Sequence, residues 1–117
     1  MFIALVVLTV LLALVSVSSA VMKLRKNEQV ISSIVGTVGF PERRIPVLAA
    51  LEIAGAVGIV VGLWVAPLGI AAAVGLTLYF VGAVIGHLRV RDTQGVTTPL
   101  VPLVLSLAVL VLRVVTA

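Results

Sequence analysis

Four stretches of roughly twenty residues, almost free of charge, dominate this sequence. Met1 to Met22 carries no charged side chain, Ile45 to Ala66 carries only Glu52, Pro67 to Leu88 only the neutral His87, and Thr98 to Ala117 only Arg113. A helix needs about 20 mostly apolar residues to cross the hydrocarbon core of a bilayer. An open strand cannot cross, because its backbone groups would find no partners in lipid. The pattern predicts an all-α membrane protein: a four-transmembrane-helix bundle with helices at about 1–22, 45–66, 67–88 and 98–117. One transmembrane domain, 1–117, accounts for the whole chain, with loops at 23–44 and 89–97 on the same side.

Composition closes off the other classes. Apolar residues make up 62% and charged residues 10%, whereas a soluble domain is about half apolar and about a quarter charged. The mean hydropathy is +1.40. The absence of cysteine removes disulfide chemistry, iron–sulfur ligation and cysteine-based zinc sites. The first apolar run has no basic residues before it and exceeds the 7–15 apolar residues usual in a signal peptide, which argues against cleavage.

Eight Lys/Arg against four Asp/Glu give a net charge of +4. A nucleic-acid surface would gather this charge on a polar face. Here it lies in the short gaps between apolar runs, so no nucleic-acid partner is expected and the lipid bilayer is. Lys23, Arg25, Lys26, Arg43 and Arg44 fill the first connection, and Arg89 and Arg91 the third. The positive-inside rule puts both in the cytoplasm and both termini outside. Trp64 reads as an anchor at the opposite interface.

The first connection has structure of its own. Val30, Ile31, Ile34, Val35 and Val38 recur at helical spacing among Asn27, Glu28, Ser32 and Ser33. This predicts a short amphipathic interfacial helix between the first two spans, broken by Gly36, Gly39, Phe40 and Pro41. Pro46 suits the first turn of the second span, and Pro99 and Pro102 that of the fourth, with Thr98 as its cap. Small residues mark helix contacts in membranes. Gly55, Gly58 and Gly62 on the second span, and Gly75, Gly82 and Gly86 on the third, are expected to face protein.

Polar residues inside the spans carry the functional signal, because a charge at the bilayer centre costs on the order of 3 kcal/mol and needs a partner or water. On the first span Thr9, Ser16 and Lys23 form one line, with Ser19 beside it. Glu52 stands seven residues into the second span, about 10 Å deep at 1.5 Å per residue. Tyr79 lies eight residues before His87, about 12 Å by the same rise. Glu52 and Tyr79 are therefore level on antiparallel neighbours. The expected cluster is Lys23, Glu52, Tyr79 and His87, with Arg89 at its rim. Arg113 is expected to snorkel to the far interface. Each residue also has a structural reading: Lys23, Arg25 and Lys26 as topology anchors, His87 as an interfacial side chain, Tyr79 as packing, and Glu52 as half of a Glu–Lys bond between the first two spans.

No metal site is expected, since one His and no Cys leave too few ligands for a closed zinc site. There is no nucleophile–base pair, phosphate loop or nucleotide fingerprint, so no enzymatic activity is expected of the chain alone.

Several runs resemble the DoxX-like family of small four-helix bacterial membrane proteins. They are Lys23 after the first span, Gly39-Phe40-Pro41, the run Leu51-Glu52-Ile53-Ala54-Gly55-Ala56-Val57-Gly58-Ile59, the ending Gly82-Ala83-Val84-Ile85-Gly86-His87-Leu88-Arg89, and Pro99, Pro102 and Arg113. The resemblance implies a bacterial plasma-membrane location. It carries over Lys23, Glu52, His87 and Arg89 as site positions. It also implies a link to quinone-reducing or oxidative-stress membrane complexes, in a family whose members mostly lack an established activity. The resulting expectation is an accessory or small-molecule-binding subunit. Its ligand would be a quinone-like head or an anion, its partner a membrane or redox protein, and a homo-oligomer is compatible. The alternatives are a small proton-coupled transporter, although multidrug exporters of this size carry their carboxylate in the first helix, and a purely structural subunit.

Overall fold

The computed structural model describes all residues, 1–117, and consists of helices and turns. Helix α1 spans Phe2–Leu24. A single turn, α2 (Glu28–Ile31), runs on as a π-helical stretch, Ser32–Thr37. A 3₁₀ turn, Glu42–Arg44, leads into α3 (Ile45–Val61), followed by α4 (Ala66–Arg89) and α5 (Thr97–Val115). Four segments are long and apolar enough to cross a membrane; α3 reaches that length only with its 3₁₀ turn, as Glu42–Val61.

The long helices alternate in direction and close a ring, α1 against α3, α3 against α4, α4 against α5, and α5 against α1. This is the up-down-up-down bundle that short connections dictate. The molecule measures 41 × 25 × 18 Å, and its length matches the about 40–45 Å of a bilayer with headgroups. Its flanks are apolar: Leu14, Leu78 and Val101 are each more than 60% exposed. In lipid such side chains need no cover. The interior is divided. Leu5, Leu12, Ile59, Leu76, Phe80 and Val109 form an apolar core through the middle and the half nearer the α3–α4 turn. The polar side chains of α1, α3 and α4 meet in the other half.

Glycine sets the closest helix contact. A Cβ on Gly62 would strike the Gly69 backbone, one on Gly58 would stand 2.6 Å from the Ala72 Cβ, and one on Gly55 would run into Leu76. The α3 stripe therefore faces α4, as the sequence predicts. The α4 stripe does not return the contact. Gly75 and Gly82 point outward with nothing within 4 Å of an added Cβ, and Gly86 meets Val38 instead. The α4 face turned to α3 is Gly69, Ala72, Ala73 and Leu76. Six positions at 100° each rotate Gly75 about 120° away from Gly69.

Three local expectations change. The second span ends at Val61, and Gly62–Val65 form the reversal, because a helix pair this close needs several residues to turn; Trp64 stands 79% exposed there. Thr98 lies inside α5 and caps nothing; Val96 is the N-cap residue, and the Thr97 hydroxyl donates to the Gln94 carbonyl at 2.8 Å. Pro102 sits a turn inside α5 rather than in its first turn. Lacking an N–H, it cannot bond the carbonyl four residues back, and the Ser106 hydroxyl donates to the Pro102 carbonyl at 2.7 Å. The amphipathic segment forms, with Val30, Ile31, Ile34, Val35 and Val38 half-buried and Asn27, Glu28 and Ser32 exposed, but Ser33 is half-buried and Gly36 lies within the π-helical stretch, which runs on to Thr37 rather than breaking at the glycine. Asn27 caps its first turn, its side-chain oxygen accepting from the Gln29 and Val30 N–H groups.

The two glycine stripes predict opposite mutational outcomes. Gly62→Ala forces backbone apart and is expected to lose about 1–3 kcal/mol, while Gly75→Ala is expected to lose nothing. Thermal unfolding of both variants in mild detergent checks this, and equal losses would contradict the contact.

Candidate functional site

Every seventh residue of a helix returns to nearly the same face, so Thr9, Ser16 and Lys23 line the inner side of α1 and are all buried. Lys23 is the one basic residue of α1 and lies in its last turn. Its stem runs back along α1 and its ammonium donates to the Ser19 hydroxyl at 2.7 Å and to Glu52 Oε1 at 2.5 Å. Glu52 reaches the same point from α3 with no exposed surface at all. From α4, the Tyr79 hydroxyl donates to Glu52 Oε1 at 3.1 Å, and Ser19 donates to it at 3.3 Å. Lys23 Nζ also stands 6.0 Å from the centre of the Tyr79 ring, within reach of the ring's negative face. Phe80 meets Tyr79 edge-on, with ring centres 5.1 Å apart, and closes the cluster toward the apolar core.

All three donors converge on one carboxylate oxygen. Glu52 Oε2 is buried and has no partner, and the buried hydroxyls of Ser16 and Thr9 have none either. Ser16 lies seven residues before Lys23 and Glu52 seven residues after the start of α3, so the unpartnered Ser16 hydroxyl and the Glu52 backbone are at about the same depth. Buried polar groups are nearly always paired with protein or water. Oε2 is left as a buried acceptor with no donor.

The sequence expectation placed four residues in this cluster and one at its rim. Lys23, Glu52 and Tyr79 meet. His87 does not join them: its Nδ1 pairs with Asp92 Oδ2 at 2.9 Å. An ionised carboxylate only accepts, so Nδ1 carries the proton. Arg89 is exposed on the outside of α4 beside Val38 and Gly39. Both follow from helical phase, since His87 lies eight residues from Tyr79 and is drawn into the loop by an acid five residues on. Ser19 is the cluster member outside the expected set. Its place beside the Thr9–Ser16–Lys23 line is the signal for it. Arg113 does not reach into open interface. It is buried, and its Nε donates to the Gly62 carbonyl at 2.9 Å and its Nη1 to the Thr116 hydroxyl at 2.9 Å. The guanidinium thus caps the carbonyl end of α3, where a helix terminus favours positive charge.

Above Lys23, between the end of α1 and the start of α3, lies a cavity of about 380 Å³ lined by Lys23, Lys26, Arg43, Glu42, Ile31 and Pro46 among others. Of the cluster's side chains only Lys23 lines it. No three side chains suited to holding a metal come together.

The model of the DoxX-like family matches residues 7–109, which takes in α3 and α4 whole, most of α1 and α5, and every side chain of the cluster. The chain belongs to the DoxX-like family. No curated protein and no solved structure matches it. For this DoxX-like protein the four apolar helices and the family together establish a multi-pass membrane protein. The site of interest is then a charged pair sealed inside its bundle.

Asp92 also accepts from the Gly95 N–H through Oδ1 at 2.9 Å. That backbone bond first, and the His87 ring second, hold the Asp92 carboxyl below its ordinary value of 3.8. The loop latch contributes fully above that ordinary value and is lost as pH falls through the lower folded one. Amide-exchange protection at Gly95 is expected to stay level from pH 7 to about pH 4 and to drop in stronger acid. Asp92→Ala should abolish the drop by removing the protection at every pH, and an unchanged profile in that variant would contradict the latch.

Proposed function

We propose that this DoxX-like protein is a ligand-binding accessory subunit of a membrane redox or stress-response complex, taking the polar head of a quinone-like molecule at the Lys23–Glu52–Tyr79 cluster. The observation that carries this reading is the buried, unpartnered Oε2 of Glu52. A vacant carboxylate oxygen accepts a hydroxyl or an N–H; it repels an anion. The hydroxyl-bearing, reduced form of a quinone-like head suits it, while the Tyr79 hydroxyl, whose one proton goes to Oε1, offers its oxygen as a further acceptor. The cavity at Lys23 supplies the approach. The basic loops support a bacterial plasma-membrane orientation with that cavity facing the cytoplasm and both termini outside.

Two other readings meet specific features. Convergence of three donors on Oε1 favours a purely structural lock between α1, α3 and α4. Proton-coupled transport would need a polar path to both faces, and the Leu5, Leu12, Ile59 and Leu76 layer speaks against one. The ligand reading and the lock differ in what Glu52→Gln does. The native chain and Glu52→Gln are purified in mild detergent at equal folded amounts, and the co-purifying small molecules are identified by mass spectrometry. Tyr79→Phe, which keeps the ring and removes one hydroxyl, serves as a second variant. A quinone-like molecule held by the native chain and lost or reduced in both variants is the expected result. The same small molecules in all three, or none in the native chain, would overturn ligand binding in favour of the lock.

A further inference from the structure

The two helices that end at the basic face finish in the same way. At the end of α1 the Asn27 N–H bonds to the Met22 carbonyl and the Lys26 N–H to the Lys23 carbonyl; at the end of α4 the Asp92 N–H bonds to the His87 carbonyl and the Arg91 N–H to the Leu88 carbonyl. This is the Schellman pattern, whose left-handed residue is usually glycine. Here it is Lys26, at φ 54°, and Arg91, at φ 58°. An L side chain is disfavoured in that conformation and glycine is not. A cation at a helix C-terminus gains something from the macrodipole, and that gain is common to both. Of the two, only Lys26 lines the 380 Å³ cavity, together with Arg43 and Lys23.

The cavity has a mixed lining. Lys26 and Arg43 set two positive charges against the carboxylate of Glu42, the charge of Lys23 being paired with Glu52, and Leu24, Ile31, Ile45 and Pro46 give it an apolar wall. Lys23 Nζ spends two of its three protons on Ser19 and Glu52, which leaves one for the cavity. The site lies where the first and third helices leave the hydrocarbon, at headgroup level. A volume of this size falls at the lower end of the about 300–1,000 Å³ of small-molecule sites.

We propose that this cavity binds a phosphate group, held by Lys26 and Arg43 over the Lys23–Glu52 pair, with the phosphate of an anionic membrane lipid as its source and the apolar wall beside the first part of an acyl chain. The lysine at the left-handed position places a long cationic arm where glycine would place none. This inference shares its cavity with the approach to Glu52 but does not need a ligand there, and its test leaves Glu52 untouched, so either reading can fail without the other.

The test uses the full-length protein in detergent micelles doped with either phosphatidylglycerol or phosphatidylcholine, with lipid retention read by native mass spectrometry. Selective retention of phosphatidylglycerol is expected, weakened about five-fold by Lys26→Gly and about five-fold by Arg43→Gln, the effect of one cation near an anionic headgroup. Lys26→Gly should at the same time raise the melting temperature, because it relieves the left-handed strain, so a loss of lipid in that variant is not a loss of fold. Arg91→Gly is the internal comparison: it relieves the same strain away from the cavity and should leave retention unchanged. Added inorganic phosphate that displaces the lipid at low millimolar concentration would keep the phosphate site and assign it to a soluble phosphate. Equal retention of the two lipids, or retention indifferent to Lys26→Gly and Arg43→Gln, would overturn the proposal.

Discussion

Charge sealed inside an apolar bundle has to be neutralised where it stands, and Glu52 sets that requirement for this protein. Its carboxylate has no exposed surface, and the helices around it are coated with side chains that only lipid tolerates. The chain supplies the partners of one of the carboxylate's two oxygens, Oε1. Lys23 folds back from the membrane edge, Ser19 stands one turn further in on the same helix, and Tyr79 reaches across from α4. Three of the four long helices are thus tied to one oxygen atom. A buried pair is seldom better than an apolar contact of the same size, yet removing one partner is severe because the other is left charged. The pair therefore specifies an arrangement more than it adds stability: it fixes the end of α1 beside the start of α3 and so shapes the cavity above them.

The far half of the bundle is held differently. Between α3 and α4 the backbones touch at Gly62 and Gly69, and close contact of this kind is what associates helices in lipid, where there is no hydrophobic gain from leaving the solvent. Arg113 joins α5 to the same point through the Gly62 carbonyl. A single residue, Gly62, consequently gives up its side chain to α4 and its carbonyl to α5. The bundle has a polar clamp at one end, a backbone contact at the other, and Leu, Ile and Phe between them.

Most of this architecture is legible in the sequence. Four runs of about the right length, the alternation of basic and bare connections, and the spacing of the apolar residues after Asn27 determine the bundle and its interfacial segment. The convergence of Lys23, Glu52 and Tyr79 is legible too, because depth along a helix can be counted. Rotation about the helix axis is harder to count. Gly75 and Gly82 share a stripe on paper, but only the neighbours decide which stripe of α4 turns inward, and Gly69, Ala73 and Leu76 take that place. His87 shows the same limit. It lies on the right helix at a suitable depth, and an acid five residues later, in a turn whose geometry depends on Gly95, captures it. Arg113 is apolar-flanked and near a helix end, which suggests an interface; the free carbonyl it caps belongs to a different helix and leaves no trace in its own sequence. That two oxygens of one carboxylate would be used so unequally is a matter of side-chain geometry and has no sequence signal at all.

The claim that most of this rests on is that Lys23 and Glu52 act as one unit, and a double-mutant cycle measures that directly. Unfolding free energies of the native protein, Lys23→Met, Glu52→Gln and the double variant are compared in the same detergent. If the pair organises the bundle, each single change costs about 3–5 kcal/mol, and the double variant costs clearly less than their sum, with a coupling on the order of 2 kcal/mol. Single changes of a few tenths of a kcal/mol that simply add would mean that the two charges are held apart in the membrane, and the account of the cluster would fail with them.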